Sequence, residues 1–342
     1  MALIVQKFGG TSVATLQARD ALLSRVKSCI AEGNEVVVVV SAMGRSGDPY
    51  ATDTLINLLE QINPDIDPEK KDLIMSCGEI ISCSLVSHLL ETNNIPSIPM
   101  TGFQAGIRTN KNFNNSEIVN INTTAIMRHV RDGKVPVIAG FQGMTEDGEI
   151  TTLGRGGSDT AAVAIGGYLG AGRVDIFTDV PGIAKIDPRI IPAAPYLQVI
   201  SYEDMYRLAY NGAKVIHPRA VKTAESFRIP VRVRSTFSEG LGTLISDEKT
   251  GTDHGIIGMA IERKIEAGNP GEQIGKLFVV FDEAKKEELI KGLEKFHSEP
   301  ESQVREMIYE NNNVSIILPS DKLVQTVQSI YSYFHKEDCK CG

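Results

Sequence analysis

Apolar and polar positions alternate along this chain in blocks that switch between the strand period and the helix period. Residues 3–7 form a short apolar run, Gly9 and Gly10 break it, and residues 16–30 carry apolar side chains at helical spacing. Residues 35–40 are a glutamate followed by five valines, ending at Ser41. A β-branched run of that kind suits a strand buried on both faces of a parallel sheet. The same reading predicts helices over 73–90, 159–169 and 202–210, and strands over 136–141 and 174–178. Strands alternating with helices imply an α/β sandwich around a mostly parallel central sheet.

The pattern changes after Ile245. Residues 246–255 are polar, charged and glycine-containing, as a linker is, and the chain then reads as a small α+β unit. Its predicted strands cover 256–262 and 277–281, followed by a helix over 283–296, a hairpin from 304–309 and 314–318, and a helix over 322–334. The expected division is therefore a large domain over 1–245, a linker over 246–255, a small domain over 256–335 and a tail over 336–342.

Composition narrows the function. With 42% hydrophobic residues in 342, the chain can bury a large core, and a net charge of -8 gives no basic excess to attract nucleic acid or an anionic membrane. No uninterrupted apolar run reaches the roughly 20 residues of a membrane span, and the amino terminus enters a strand without a signal-like segment. The expectation is a cytoplasmic protein acting on a small molecule. Five cysteines are too few for a disulfide scaffold. Cys29, Cys77 and Cys83 sit in apolar surroundings that predict reduced core thiols. Cys339 and Cys341 offer two thiolates where structural zinc needs four ligands, so a frayed tail is expected there. No histidine has a metal-ligand partner at a suitable spacing, and His217 beside Pro218 reads as structural.

Three glycine-bearing segments carry candidate chemistry. KFGGTS, residues 7–12, sets glycines between a strand and a helix start, which fits either a phosphate cradle or plain turn chemistry. TTLGRGGSDT, residues 151–160, repeats the arrangement and adds Arg155, Ser158 and Asp159. An arginine fork fits a carboxylate or phosphate, and an aspartate there could equally be a helix cap. TDVPGI, residues 178–183, lies beyond a strand, where open α/β sheets place ligands; Pro181 and Gly182 also suffice for a turn. Lys214, in GAKVIHP, reads as a phosphate-neutralising amine or a solvated one.

Taken in order, KFGGTSV, VVVVVSAM, TTLGRGGSDT, DIFTDVPGI, DPR, GAKVIHPRAV and VRVRSTF resemble the aspartate kinases of the amino acid kinase superfamily, over residues 1–245. The resemblance implies a three-layer amino acid kinase fold, and the later segment 304–330 resembles part of an ACT module. It implies transfer of the γ-phosphoryl group of ATP to L-aspartate, the first step of lysine, threonine and methionine biosynthesis, with ATP and Mg²⁺ as cofactors. By the same resemblance Lys7, Asp159 and Lys214 are catalytic, and Ser41, Thr52, Glu79, Arg155 and Ser158 bind aspartate, Glu79 at the ammonium and Arg155 at the α-carboxylate. Gly9, Gly10, Thr11, Ser12, Thr178, Asp179, Gly182, Ile183, Arg189 and Lys214 hold the nucleotide. No dedicated metal cage is expected, since magnesium is usually held through substrate phosphates and one or two carboxylates.

Two departures stand out. Ala184 replaces a tyrosine that many relatives place near the nucleotide, and the chain carries one ACT-like module where relatives carry two. After residue 281 it reads DEAKKEE, without the proline and glycine of an effector loop, whereas Asn269, Pro270 and Gly271 precede the strand. Feedback by lysine or threonine is expected to be weak or absent, and the small domain is expected to pair in a homodimer. The alternatives are a non-catalytic amino-acid-binding regulatory paralogue or another carboxylate kinase of the same fold.

Overall fold

The computed structural model describes residues 2–249, 255–265, 273–297 and 304–334. Asn269, Pro270, Gly271, Cys339 and Cys341 lie outside the described residues, as does the tail over 336–342. Two compact units form: Met1–Gly182 with Arg219–Asp247, and Ile183–Pro218 with Glu248–Gly342. The linear division at residue 245 differs from this, because Ile183–Pro218 joins the second unit. The reason is packing: Ile186, Ile190 and Ala194 are buried in the same core cluster as Leu277, Val279 and Phe281.

The first unit's strands of the central sheet run in the order Thr243–Ser246, Val231–Ser235, Arg173–Thr178, Leu3–Phe8, Glu35–Val40, Val135–Ala139 and Ser97–Met100. Neighbours are parallel except at Thr243–Ser246, which is antiparallel to Val231–Ser235. The five valines Val36–Val40 are buried, as a strand covered on both faces requires. Helices Leu16–Ala31 and Pro68–Thr92 bury Leu22, Val26, Val86 and Leu90 in one cluster with Ile4, Phe8 and Val38. On the opposite face lies Gly157–Leu169, where Gly166 is so close to Val174 and Ile229 that a Cβ would come within 2.6 Å of Val174. These three layers bear out the α/β expectation.

Helix starts follow from capping. The Thr15 hydroxyl accepts the Ala18 N–H at 3.1 Å, and the Asp67 carboxylate accepts from Glu69 and Lys70 ahead of Pro68. By length and composition Pro68–Thr92 could cross a membrane, a feature not visible as a run of consecutive apolar residues; here half of that stretch is buried inside the protein. Asp72, Ser76 and Glu79 are buried along it, and Cys77, one residue round from Ser76, is exposed instead of in the core. Burial pushes the Cys29 and Cys83 thiols up to about 11, so these two are inert core residues. A second small sheet orders Ile118–Ile121, Ile107–Thr109, Gln142–Met144 and Ile150–Thr152.

The second unit is built on an antiparallel sheet in the order Ile256–Ile265, Ile274–Phe281, Asn313–Pro319, Glu306–Tyr309, with helices Lys286–His297 and Leu323–Phe334. Leu289, Leu293, Val327 and Ile330 bury the helices against Val279, Val314 and Ile316. This is the ACT-like arrangement expected of the region. At 282–285 the chain makes a capped helix start, the Asp282 carboxylate accepting the Ala284 N–H at 3.1 Å.

Candidate active site

Lys7 sits near the end of the central strand Leu3–Phe8, flanked in register by Val39 and Ile176. Strand alternation sends Phe8 to the opposite face, where it stacks on Phe177 at 4.7 Å between ring centroids. Lys7 is 8% exposed and its Nζ lies 2.6 Å from Asp159 Oδ1, an ion-pair contact outside hydrogen-bond alignment. The glycine turn that follows is tied down by backbone: Gly9 N–H donates to Phe177 O at 3.2 Å, Ser12 N–H to Gly9 O at 2.9 Å and Gly44 N–H to Gly10 O at 3.1 Å. A Cβ on Gly10 would stand 2.7 Å from both Ala42 O and Gly44 O, so only glycine fits. The helix after this turn, Gly10–Val13, is a single turn, and the longer helix begins afresh at Thr15.

Glu79 comes from the long helix Pro68–Thr92 and is 3% exposed. Its Oε1 accepts the Ala42 N–H at 2.9 Å, while Oε2 is buried without a partner. Burial raises its carboxyl to about 8, against the Ala42 N–H and the Lys7 charge, which both favour ionisation. Two turns earlier on the helix, the buried Asp72 accepts the Thr152 N–H at 2.8 Å, the Thr152 hydroxyl at 2.6 Å and the Asn114 N–H at 3.0 Å. Desolvation raises its pKa and these three donors lower it. Asp72 thereby fixes the glycine loop's leading strand to the helix that carries Glu79.

In that loop Gly154 and Gly156 take φ of 71° and 69°, and the left-handed Gly156 opens the helix Gly157–Leu169. Gly157 packs against Phe141, where a Cβ would lie 2.7 Å from the ring. Phe141 itself has φ of 68°, uncommon for a residue with a bulky side chain. Ser158 and Asp159 fall in the helix's first turn, where backbone N–H groups lack intrahelical acceptors. Arg155 is exposed and pairs with no acidic side chain among the described residues.

These pieces enclose a cleft of about 580 Å³ lined by Lys7, Gly10, Ser41, Thr52, Glu79, Arg155, Ser158 and Asp159. Lys71, Asn114 and Phe141 also line it, and the sequence reading missed them together with Asp72. Asp72 and Glu79, seven residues apart, share a helix face, and that spacing was the available signal. Asn114 has no comparable signal. Gly9, Thr11 and Ser12 do not line it, and the Ser12 hydroxyl is paired with that of Thr236 at 2.6 Å.

Thr178, Asp179 and Gly182 close the strand Arg173–Thr178; Asp179 is ion-paired with Arg45 at 2.7 Å, and Gly182 abuts Thr243. Ile183, Arg189 and Lys214 belong to the second unit. There Ile183 is buried, Lys214 is exposed, and the Arg189 guanidinium beside Asp187 holds that carboxyl below its usual range. Among the described residues no three of His, Cys, Asp or Glu cluster as a metal cage. The Asp159 carboxylate, with one oxygen at Lys7, fits a magnesium ion held mainly through substrate phosphates.

Three comparisons bear on this cleft. The Amino acid kinase family model matches residues 2–235. The chain is 47% identical over 256 residues to aspartokinase 1 of Bacillus subtilis, covering 74% of this chain and 63% of that protein. It is 44% identical over 266 residues to the aspartokinase of Geobacillus stearothermophilus, covering 78% and 64%. The chain thus spans slightly less than two thirds of the length of these curated relatives. In fold it matches E. coli aspartokinase III, solved with aspartate and ADP, with a TM-score of 0.76 and 22% identity over 97% of this chain and 99% of that one.

Proposed function

The chain belongs to the amino acid kinase family, and on that premise we propose that it is an aspartate kinase, converting ATP and L-aspartate to ADP and 4-phospho-L-aspartate. The observation that carries the reading is the buried, unpartnered Glu79 Oε2 in the same cleft as the uncompensated Arg155. A single carboxylate acceptor and a single guanidinium fork are what the ammonium and α-carboxylate of an amino acid require. Ser41, Thr52 and Ser158 supply hydroxyls around them.

The acceptor needs no general base, because a β-carboxylate is already ionised at neutral pH. The obstacle is charge, an anion approaching a polyanion. Lys7, held by Asp159, meets the negative charge of the transferring group, and Ser158 and Asp159, in the first turn of Gly157–Leu169, line the cleft with it. Asp159 would hold a magnesium ion through its carboxylate, and that ion would supply further neutralisation of the phosphates. Gly9, Gly10, Thr11, Ser12, Thr178, Asp179, Gly182, Ile183, Arg189 and Lys214 are proposed for the nucleotide on the strength of their motifs. Substrates of this kind fit a cytoplasmic enzyme of amino-acid biosynthesis. The homodimer proposal is supported by the edge strand Glu306–Tyr309, where Ile308 is 42% exposed, and light scattering of the purified chain tests it.

The deciding experiment is a hydroxamate assay with ATP and Mg²⁺, comparing aspartate, glutamate and acetylglutamate. Product with aspartate alone is expected. Product with another carboxylate, or with none, overturns the reading in favour of a different carboxylate kinase or a non-catalytic paralogue.

A further inference from the structure

On the sheet face beside the helix Leu16–Ala31, strand alternation presents charges where a parallel sheet ordinarily presents aliphatic side chains. Gln6, Asp175 and Arg232 stand side by side across three parallel strands, and Phe8, Phe177 and Arg234 form the next row. Arg173, two residues before Asp175 on the same face, grips that aspartate with both arms of its fork, Nε to Oδ1 at 2.7 Å and Nη2 to Oδ2 at 3.2 Å. Asp175 is 1% exposed, so its charge is committed to Arg173.

Arg232 and Arg234 are left over. Both are half-buried, and neither forms a hydrogen bond or ion pair with another described residue. The Arg234 guanidinium lies 5.4 Å from the centroid of the Phe177 ring, with its Nε buried and unpartnered. Desolvation by burial lowers the pKa of both, and Arg173 adds to that lowering while Asp175 opposes it. The helix contributes Arg25, which donates to Thr236 O at 3.2 Å and Ser238 O at 2.7 Å, and Glu32. Arg25, Arg173, Arg232 and Arg234 against Asp175 and Glu32 leave a local charge of two positive units, in a chain whose net charge is -8.

A half-buried guanidinium without an acceptor is unfavourable; no described residue supplies one to either of this pair, and the Phe177 ring and the through-space attraction of Asp175 offset the cost only in part. We propose that this face binds a phosphate group between the guanidiniums of Arg232 and Arg234, with Arg173 kept from competing by Asp175. Phosphate suits it on two grounds. A dianion matches the two uncompensated charges, and two arginine forks on one strand face require an anion with more acceptor oxygens than a lone carboxylate has. The site is separate from the cleft: Lys7 projects to the other side of the strand from Gln6 and Phe8, and none of these arginines lines the cleft. The inference therefore stands independently of the proposed reaction.

The test is calorimetric titration of the nucleotide-free protein with inorganic phosphate and, separately, with glycerol 3-phosphate, ionic strength being matched with sodium chloride. Saturable binding is expected, weakened at least tenfold in the double variant Arg232→Gln/Arg234→Gln. That variant loses an unpaired, half-buried charge at each position, so in phosphate-free buffer its melting temperature is expected to equal or exceed that of the unaltered protein. Arg232→Lys, which keeps the charge and removes the fork, is expected to bind about tenfold more weakly and serves if the double variant does not fold. Preference for the monoester assigns the site to a phosphorylated metabolite, and equal affinity assigns it to free phosphate. Heats no larger than chloride produces, an adventitious ion only, or unchanged affinity in the variants overturn the proposal.

Discussion

The two oxygens of Glu79 differ in kind: Oε1 takes the backbone N–H of Ala42 at 2.9 Å, and Oε2 is buried facing no donor. Burial lifts the carboxyl from its ordinary 4.5 to about 8, against the Ala42 N–H and the Lys7 charge. In the fold the group holds a proton that the unfolded chain has already released, so over roughly pH 4.5 to 8 stability falls as pH rises. Glu79→Gln, which mimics the protonated form, should flatten that slope in melting curves. An ammonium group placed against Oε2 favours the carboxylate, so aspartate binding should release protons near pH 7 and its KM should fall between pH 6.5 and 8.5. A KM that stays constant across that interval would remove Glu79 from the ammonium site.

Lys7 and Asp159 make their ion pair almost out of solvent. If the Lys7 amine stabilises charge that develops on the transferring group, Lys7→Met should fold and lose about 10²- to 10³-fold in kcat. Steady-state kinetics beside circular dichroism check this, and near-normal kcat in a folded variant would show that Lys7 is structural.

How far the sequence alone reaches depends on the range of the interaction. The valine strand and the helix Tyr202–Tyr210 were legible because their periods are local. The small sheet was not, since strands such as Ile107–Thr109 and Ile150–Thr152 are too short to show alternation. The grouping of Ile183–Pro218 with the second unit was hidden for a different reason: Ile186 and Ile190 find their partners in a later part of the chain. The cleft divides in the same way. Lys7, Gly10 and the loop around Arg155 are marked by glycines the backbone demands, whereas Asp72 acts on residues 42 and 80 positions away.

Arg155 is exposed at the cleft wall and pairs with no acidic side chain among the described residues, so replacing it disturbs little of the fold. Loss of a charge-assisted pair to a carboxylate is worth about 1.5 to 3 kcal/mol. Arg155→Ala should therefore raise the KM for aspartate by about 10- to 100-fold and leave the KM for ATP within a factor of two or so. Equal increases for both substrates would argue that the arginine serves the nucleotide.

At the corner after Phe281 the N–H groups of Asp282, Ala284 and Lys285, which an amino-acid effector could use, are already engaged. The Asp282 side chain takes the Ala284 N–H at 3.1 Å and its carbonyl takes that of Lys285 at 2.9 Å. Calorimetric titration of this chain with lysine, threonine and methionine should accordingly give no saturable binding, and activity at subsaturating aspartate should be insensitive to each. Saturable binding matched by inhibition would show that the corner opens to receive a ligand.

Gly9 and Gly10 stand side by side in the turn, yet the structure assigns them different duties. At Gly10 an added methyl would lie 2.7 Å from two backbone carbonyl oxygens, Ala42 O and Gly44 O, neither of which can swing aside as a side chain would. At Gly9 the nearest atoms are Phe177 O at 3.6 Å and Lys7 Nζ at 3.7 Å, ordinary contact distances, and its φ of -70° suits any residue. Gly10→Ala should thus push the loop over 41–44 away from the strand end, costing about 1 to 3 kcal/mol as overpacking does and lowering the melting temperature by a few degrees. Since Ala42 is also the donor to Glu79 Oε1, the same shift should raise the KM for aspartate. Gly9→Ala should melt close to the unaltered protein, and any loss of activity there should appear in kcat, through crowding of the Lys7 amine. Thermal melts and kinetics on the two variants settle the division, and a reversed order, with Gly9→Ala the less stable, would show that the turn is held by contacts other than those two carbonyls.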